Sequence, residues 1–161
     1  MRILVIAILL VTSLSGCSER QHQSDEELLR TFYAHQGEFE TLLAMCREDT
    51  VTMDRIAPNW LGPQDGISKE RWDGYRDLFE KLDLRSGVAL PPQSGEPIEF
   101  LASTRGYVVG GGSLKGYIYR EDAPKELVDS LDNINFKATR GYGTAYRHII
   151  GNWYLYYQAG G

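Results

Sequence analysis

The chain has few of the residues on which metal sites and nucleophilic sites depend. Its 161 residues include two cysteines and three histidines, whereas a structural zinc site needs about four such ligands at short spacings. The serine-hydrolase pattern G-x-S-x-G and the zinc-protease pattern H-E-x-x-H are both absent. We therefore predict no metal and no cofactor, and an enzyme is less favoured than a binding protein.

Acidic residues are missing from the last part of the chain. No aspartate or glutamate occurs in residues 133–161, which contain Lys137, Arg140 and Arg147, although the whole chain has a net charge of −5. An acidic body argues against nucleic acid as a partner. The basic C-terminal part is suited instead to an anion or an acidic protein.

An apolar run long enough to cross a membrane is also missing. Crossing takes about 20 apolar residues, and the run Ile3–Val11 stops well short of that. Arg2 precedes this run, which is the layout of a signal peptide. The ending Leu14-Ser15-Gly16-Cys17 resembles the lipobox of bacterial lipoproteins. That resemblance implies cleavage before Cys17, acylation of Cys17 with palmitate among the chains, and, because Ser18 follows, retention in the outer membrane facing the periplasm.

This assignment divides the chain into a signal peptide (residues 1–16), a polar tether (17–24) and a single domain (25–161). A domain of that length buries a sufficient core without disulfides. With Cys17 acylated, Cys46 has no partner cysteine in a compartment that oxidises paired thiols. We predict Cys46 to be a small buried residue, because it lies on the apolar stripe of the first predicted helix.

Two helices are predicted in the N-terminal half. Ser24 and Glu27 form a capping box, from which a helix should run to about Asp49 with its apolar side chains at helical spacing. A second helix should begin after the cap Ser68 and end near Asp83. Its apolar residues share one face: Trp72, Tyr75, Leu78, Phe79 and Leu82.

Strands are predicted in the second half, where the hydrophobic period changes from about 3.6 to about 2 residues. Gly151-Asn152 predicts a two-residue hairpin turn, which would pair Ile150 with Trp153 and His148 with Leu155. The predicted strands are 98–102, 107–109, 114–120, 146–150 and 153–157, with a loop at 110–113, a turn or short helix at 123–131, and an extended segment at 51–60.

Two N-terminal helices packed on an antiparallel sheet make an α+β domain. The order of the elements and the segment LLRTFYAHQGEFETLLAM (28–45) resemble nuclear-transport-factor-like domains. In those domains a curved sheet forms a cone. A cystatin-like wrap is the competing topology, and both resemblances imply a curved sheet.

Tyrosines and cations share the C-terminal strands. An open face of this kind, without carboxylates, has the composition enriched in recognition surfaces. Burial inside the domain is an equal alternative, because tyrosine favours strands in any context. The residues of this predicted binding face are Lys115, Tyr117, Tyr119, Arg147, Tyr154 and Tyr156.

His35 and His148 carry the rival hypothesis, a lipid-anchored enzyme or ligand carrier. The helical stripe contains His35 and the apolar face of the last hairpin contains His148, so a pocket could form where the two meet. His148 is more simply a buried core histidine, because a metal site would need further histidine or cysteine ligands nearby.

A further resemblance extends over most of the mature chain. The residues that carry it are Phe32, His35, Phe39, Lys115–Tyr117, Tyr146–Ile149 and Asn152–Tyr156. They resemble a group of proteobacterial lipoproteins to which no activity is attached. The sequence therefore favours a membrane-anchored, periplasm-facing lipoprotein that binds a protein or a small ligand. One specific form of such a binding protein is an immunity-type inhibitor of a periplasm-directed toxin, which the size, acidity and predicted location of the chain suggest.

The lipid anchor is directly testable. Replacing Cys17 with serine should abolish acyl labelling and leave the protein unprocessed or soluble, because two or three acyl chains supply the attachment. Labelling with a palmitate analogue and membrane fractionation measure this. Membrane retention of Cys17→Ser equal to that of the unaltered protein would contradict the lipoprotein assignment.

Overall fold

The computed structural model describes residues 22–49, 54–63, 66–91, 96–106, 111–134 and 143–160. The predicted signal peptide and Cys17 lie outside the described residues. Within the described ranges, no helix combines the length and the apolar composition needed to cross a membrane. The domain is α+β, with three helices and a six-stranded antiparallel sheet, which confirms the predicted class.

The first predicted helix is two helices, α1 (Asp25–Ala34) and α2 (Gln36–Asp49). The break is at His35, whose φ of −132° and ψ of 33° are not helical. The capping box is confirmed, since the Ser24 side chain accepts from the Glu27 backbone N–H while the Glu27 carboxylate accepts from the Ser24 N–H.

The second predicted helix is α3 (Lys69–Lys81), and its predicted cap Ser68 is confirmed by the Arg71 N–H, which donates to the Ser68 side chain. It ends two residues earlier than predicted. The side chains predicted to share its apolar face are buried: Trp72, Tyr75, Leu78, Phe79 and Leu82.

The sheet is open rather than cone-shaped. Its order is β1-β2-β3-β4-β6-β5, and it is neither closed nor strongly curled. Strong curvature requires bulges at several places, whereas the described strand pairs shift register in only two. The cone implied by the resemblances is therefore corrected. The strands are β1 (Arg55–Ile56), β2 (Gly87–Ala89), β3 (Ile98–Gly106), β4 (Gly112–Tyr119), β5 (Gly143–Ile150) and β6 (Trp153–Gly160).

Two residues of the loop predicted at 110–113, Gly112 and Ser113, belong instead to β4 and pair with Gly106 and Arg105. Residues 107–110, including the strand predicted at 107–109, lie outside the described ranges. The segment predicted as a turn or short helix at 123–131 is irregular. It contains one isolated bridge, in which Leu127 pairs with Tyr146.

The last hairpin has the predicted turn but not the predicted register. Ile150 pairs with Trp153 as expected, and Gly151 has a φ of 54°. The register shifts between His148 and Ile150, so that His148 lies opposite Tyr154 rather than Leu155. A shift of one residue moves a side chain to the other side of a sheet, and His148 consequently faces away from the helices.

The two faces of the sheet are both buried at their centres. On the helix face, Phe100, Tyr117 and Leu155 join the core formed with the three helices. Cys46 belongs to this core as predicted, and burial raises the pKa of its thiol to about 12. On the second face, a smaller buried cluster contains Leu101, Ile118, Tyr154 and Tyr156.

Substitutions of aromatic residues distinguish a buried second face from an exposed one. Trp153 on the helix face is 4% exposed and Tyr156 on the second face is 1% exposed. Both Trp153→Ala and Tyr156→Ala should lower the free energy of unfolding by about 3–5 kcal/mol, as other aromatic truncations in cores do. Urea denaturation measures the change.

Tyr33, which is 55% exposed, supplies the control. Its replacement by alanine should change the free energy of unfolding by no more than about 0.5 kcal/mol. A Tyr156→Ala protein as stable as Tyr33→Ala would mean that the second face is open.

Candidate functional site

The predicted binding face does not form one surface. Lys115, Tyr117, Tyr119 and Arg147 lie on the helix face, whereas Tyr154 and Tyr156 lie on the second face. Alternation along the strands separates the two sets, and the bulge in β5 places Arg147 opposite Leu155 instead of Tyr156. The prediction that these residues form one open face is therefore corrected.

Lys115 is buried because carboxylates reach it from distant parts of the chain. The side chain of Lys115 is 3% exposed and that of Asp25 is 1% exposed, and Lys115 Nζ lies 2.8 Å from Asp25 Oδ1. Lys115 also contacts Asp132, and Arg147 Nη1 lies 3.0 Å from Asp25 Oδ2. We call these four residues the Asp25 network. A buried ammonium ion is tolerated only when paired in this way.

The Asp25 network joins four elements. The Leu131 backbone N–H donates to Asp25 Oδ2 over 2.7 Å, and the Asp25 N–H donates to the Asp132 carboxylate. Burial alone would raise the pKa of Asp25, but hydrogen bonds from Lys115 and Leu131 hold that pKa below its ordinary value. The network therefore ties the start of α1 to β4, β5 and the turn at 131–132. The charged groups of the network pair with one another inside the domain.

Gly116 shows why the residue after Lys115 has no side chain. A Cβ at this position would lie 2.1 Å from the Phe100 carbonyl oxygen of the neighbouring strand. Only glycine allows β3 and β4 to approach this closely. The following residue, Tyr117, is fully buried and donates its hydroxyl to the Leu28 carbonyl oxygen over 2.9 Å.

His22, which the sequence placed in the polar tether, is packed on the domain. Its Nδ1 lies 2.6 Å from Ser103 Oγ and its Nε2 lies 2.7 Å from Ser113 Oγ. Its ring also meets the ring of Tyr157 edge-on. We call His22, Ser103 and Ser113 the His22 clamp. No local pattern could have indicated it, because the two serines lie 81 and 91 residues away in sequence.

The contacts of His22 with two serine hydroxyls resemble those of a catalytic base with its nucleophile. The pKa of His22, however, is too low for a base at neutral pH. Burial, together with the nearby cations Arg105 and Lys115, lowers the pKa of His22 to about 4. A general base works best with a pKa near the operating pH. His22 is therefore a weak base at neutral pH, and its contacts with the two serines serve to hold the chain.

His35 and His148 do not share a pocket. His35 caps α1 and lies 3.8 Å from Glu38, partly exposed. His148 lies on the second face against the Tyr154 ring, with Nε2 3.0 Å from the Gly151 carbonyl oxygen. Because the sheet separates the two imidazoles, the pocket expected from their meeting is corrected.

An aromatic cleft opens where the β5–β6 turn approaches the junction of α1 and α2. It has a volume of about 530 Å³, which is within the range of ligand sites. The rings of Phe32 and Tyr119 lie 5.4 Å and 5.3 Å from that of Trp153 and form its floor. Its lining residues are Phe32, Gln36, Gly37, Glu40, Tyr119, Ile150, Gly151, Asn152 and Trp153.

A few polar groups surround this floor. The Trp153 Nε1–H donates to Glu40 Oε1 over 2.9 Å, and the Asn152 amide donates to the Tyr119 hydroxyl over 3.2 Å. The guanidinium of Arg47 lies 4.8 Å from the centroid of the Tyr119 ring, which it holds by a cation–π contact. Ile150 is 51% exposed at the rim.

The lining of the aromatic cleft is suited to binding rather than to acid–base chemistry. Glu40 is the one carboxylate among the described lining residues, and no histidine, cysteine, serine or lysine accompanies it. The chain matches no family model, no curated protein and no solved structure.

Of the predicted face residues, Tyr119 reaches the aromatic cleft. Gln36 and Glu40 of α2 and Asn152 of the β5–β6 turn were not predicted, because no local pattern shows that this helix and this turn meet.

Removing the central carboxylate tests the Asp25 network. Asp25→Asn keeps the side-chain volume but leaves Lys115 with too little negative charge. The loss of one partner of a buried pair should lower the free energy of unfolding by about 3–5 kcal/mol at neutral pH. Urea denaturation of this protein and of Asp77→Asn, which changes an exposed residue of α3, measures the effect.

The same network predicts a dependence on acid. The pKa of Asp25 in the folded protein is lowered from its ordinary value of 3.8. Its contribution is therefore complete above about pH 4 and is lost as the pH falls through the folded pKa. The difference in stability between the unaltered protein and Asp25→Asn should shrink below about pH 4. A difference that stays constant down to the acid transition would contradict this assignment.

Proposed function

We propose that this protein is a lipid-anchored protein of the outer membrane that binds a partner protein in the periplasm through its aromatic cleft. The observation that carries the proposal is the cleft itself, with an aromatic floor, an exposed isoleucine at its rim and few polar groups. Aromatic side chains dominate the binding energy of many protein interfaces. The lipobox ending in Cys17 supports the proposed location in the outer membrane.

The charges of the cleft favour a particular partner chemistry. Glu40 supplies the carboxylate of the lining, and no lysine or arginine is among the described lining residues. A partner segment that inserts an apolar side chain next to an N–H donor or a cation would satisfy both the floor and Glu40. The size, the acidity and the proposed envelope location of the protein suggest one specific form of this function, an immunity-type inhibitor that holds a toxin by such a contact.

The alternative of an enzyme or ligand carrier has less support. It required polar groups converging on a histidine in an enclosed pocket, and the described lining of the open aromatic cleft includes no histidine. A small apolar ligand in the same cleft remains the competing occupant. The experiment below distinguishes it from a protein partner.

Filling the cleft tests the proposal. Gly37 lines the cleft, and a Cβ at this position meets nothing within 4 Å. The Cβ of Gly37→Phe is therefore accommodated without displacing the backbone, and we expect its ring to occupy the cleft. Gly62 is equally unobstructed but lies outside the cleft, so Gly62→Phe is the matched control.

The lipidated proteins serve as bait for detergent-solubilised cell envelopes. The unaltered protein and Gly62→Phe should capture the same partner, whereas Gly37→Phe should bind it at least about tenfold more weakly, a change of about 1.4 kcal/mol. Equal capture by all three proteins would contradict the cleft as the binding site. A small molecule displaced by Gly37→Phe in native mass spectrometry, with no partner protein captured, would contradict the protein partner.

A further inference from the structure

The His22 clamp and the aromatic cleft lie at opposite ends of the same strands. Ser113 of the clamp is opposite Ala159 of β6, whereas Tyr119 of the cleft is opposite Trp153. Strands rise about 3.3 Å per residue, so these two positions on β6 are separated by about 20 Å.

Helix α1 also runs from the clamp end of the domain to the cleft end, which is a second indication that the two are far apart. It begins beside the Asp25 network, where Asp25 contacts Lys115, and it ends beside the cleft, where the Phe32 ring lies 5.4 Å from that of Trp153. The chain therefore enters the domain at the clamp end and reaches the cleft only after a complete helix.

The clamp also shortens the connection to the lipid. Four residues lie between Cys17 and His22, and the five residue steps of an extended chain span at most about 18 Å. Without the clamp, the first residue held to the domain would be Gln23, whose side-chain amide donates to Asp83, and the reach would rise to about 21 Å. Attachment through His22 thus keeps one end of the domain close to the bilayer.

The charge at the clamp end suits a lipid surface. Arg105 of β3 lies at this end, opposite Ser113. Within the described part of the chain, Arg105 forms no ion pair with a carboxylate. Its guanidinium is partly buried, with Nη2 inaccessible to solvent, but its positive charge still favours anionic headgroups near this end of the domain.

We infer that the His22 clamp orients the anchored domain, with the end of the sheet that contains Gly106 and Gly112 towards the lipid surface and the aromatic cleft directed away from it. This inference rests on the lipidation of Cys17 in the proposed function. The arrangement presents the cleft to partners in the periplasm instead of to the membrane.

Two labels on one strand test the orientation. Thr144 and Ile150 are exposed residues at opposite ends of β5. Each is replaced by cysteine in the lipidated protein and labelled with a donor fluorophore under native conditions, where the buried Cys46 stays unlabelled. The vesicles contain phosphatidylethanolamine, phosphatidylglycerol and a headgroup-labelled phosphatidylethanolamine as the acceptor.

Energy transfer to the acceptor should be at least about twofold greater from position 144 than from position 150, because about 20 Å of strand separates them. In a His22→Ala background this ratio should fall toward one. A His35→Ala background, which changes another partly exposed histidine, should leave it unaltered. Circular dichroism establishes that each variant is folded.

The outcomes separate this inference from the proposed function. Protein that fails to cosediment with the vesicles contradicts the lipid anchor and therefore the proposed function. Protein that cosediments with equal transfer from the two positions, or with greater transfer from 150, overturns the orientation alone. An unchanged ratio in His22→Ala overturns the role of the clamp.

Discussion

The rest of the domain depends on the burial of one ammonium group, that of Lys115. Its charge at the centre of the sheet is acceptable only because Asp25 and Asp132 neutralise it. Asp25 is also the first residue of α1, so the neutralising contact fixes where that helix meets the sheet. The far end of α1 then supplies Phe32 to the cleft floor. The electrostatics of a buried pair and the shape of the candidate site are thus connected through one helix.

The same pairing explains why the tyrosine-rich strands are closed rather than open. Lysine and arginine interleaved with tyrosine suggested an accessible face, since cations are rarely buried. Carboxylates from distant segments make that burial possible, and the Tyr117 hydroxyl is satisfied by the Leu28 carbonyl oxygen. Alternating cations and aromatics therefore indicate exposure only when no distant carboxylate can reach the cations.

Local signals predicted the elements, and non-local contacts decided their arrangement. Ser24 and Ser68 cap helices because their hydroxyls accept from nearby N–H groups, and Gly151 makes a tight turn because it tolerates a positive φ. The bulge near Ile149 and the docking of His22 depend on partners elsewhere in the fold. Such partners are not encoded in a short window, which is why the face, the register and the cleft were not predicted.

Strand β4 links the features of the site, since Ser113, Lys115, Tyr117 and Tyr119 all project from its helix face. In order, they belong to the His22 clamp, the Asp25 network, the core and the aromatic cleft. This strand is hydrogen-bonded to β3 on one side and to β6 on the other along its length, which restricts its movement. An orientation imposed at Ser113 is therefore preserved at Tyr119, and the domain can present the cleft in a defined direction without any moving part.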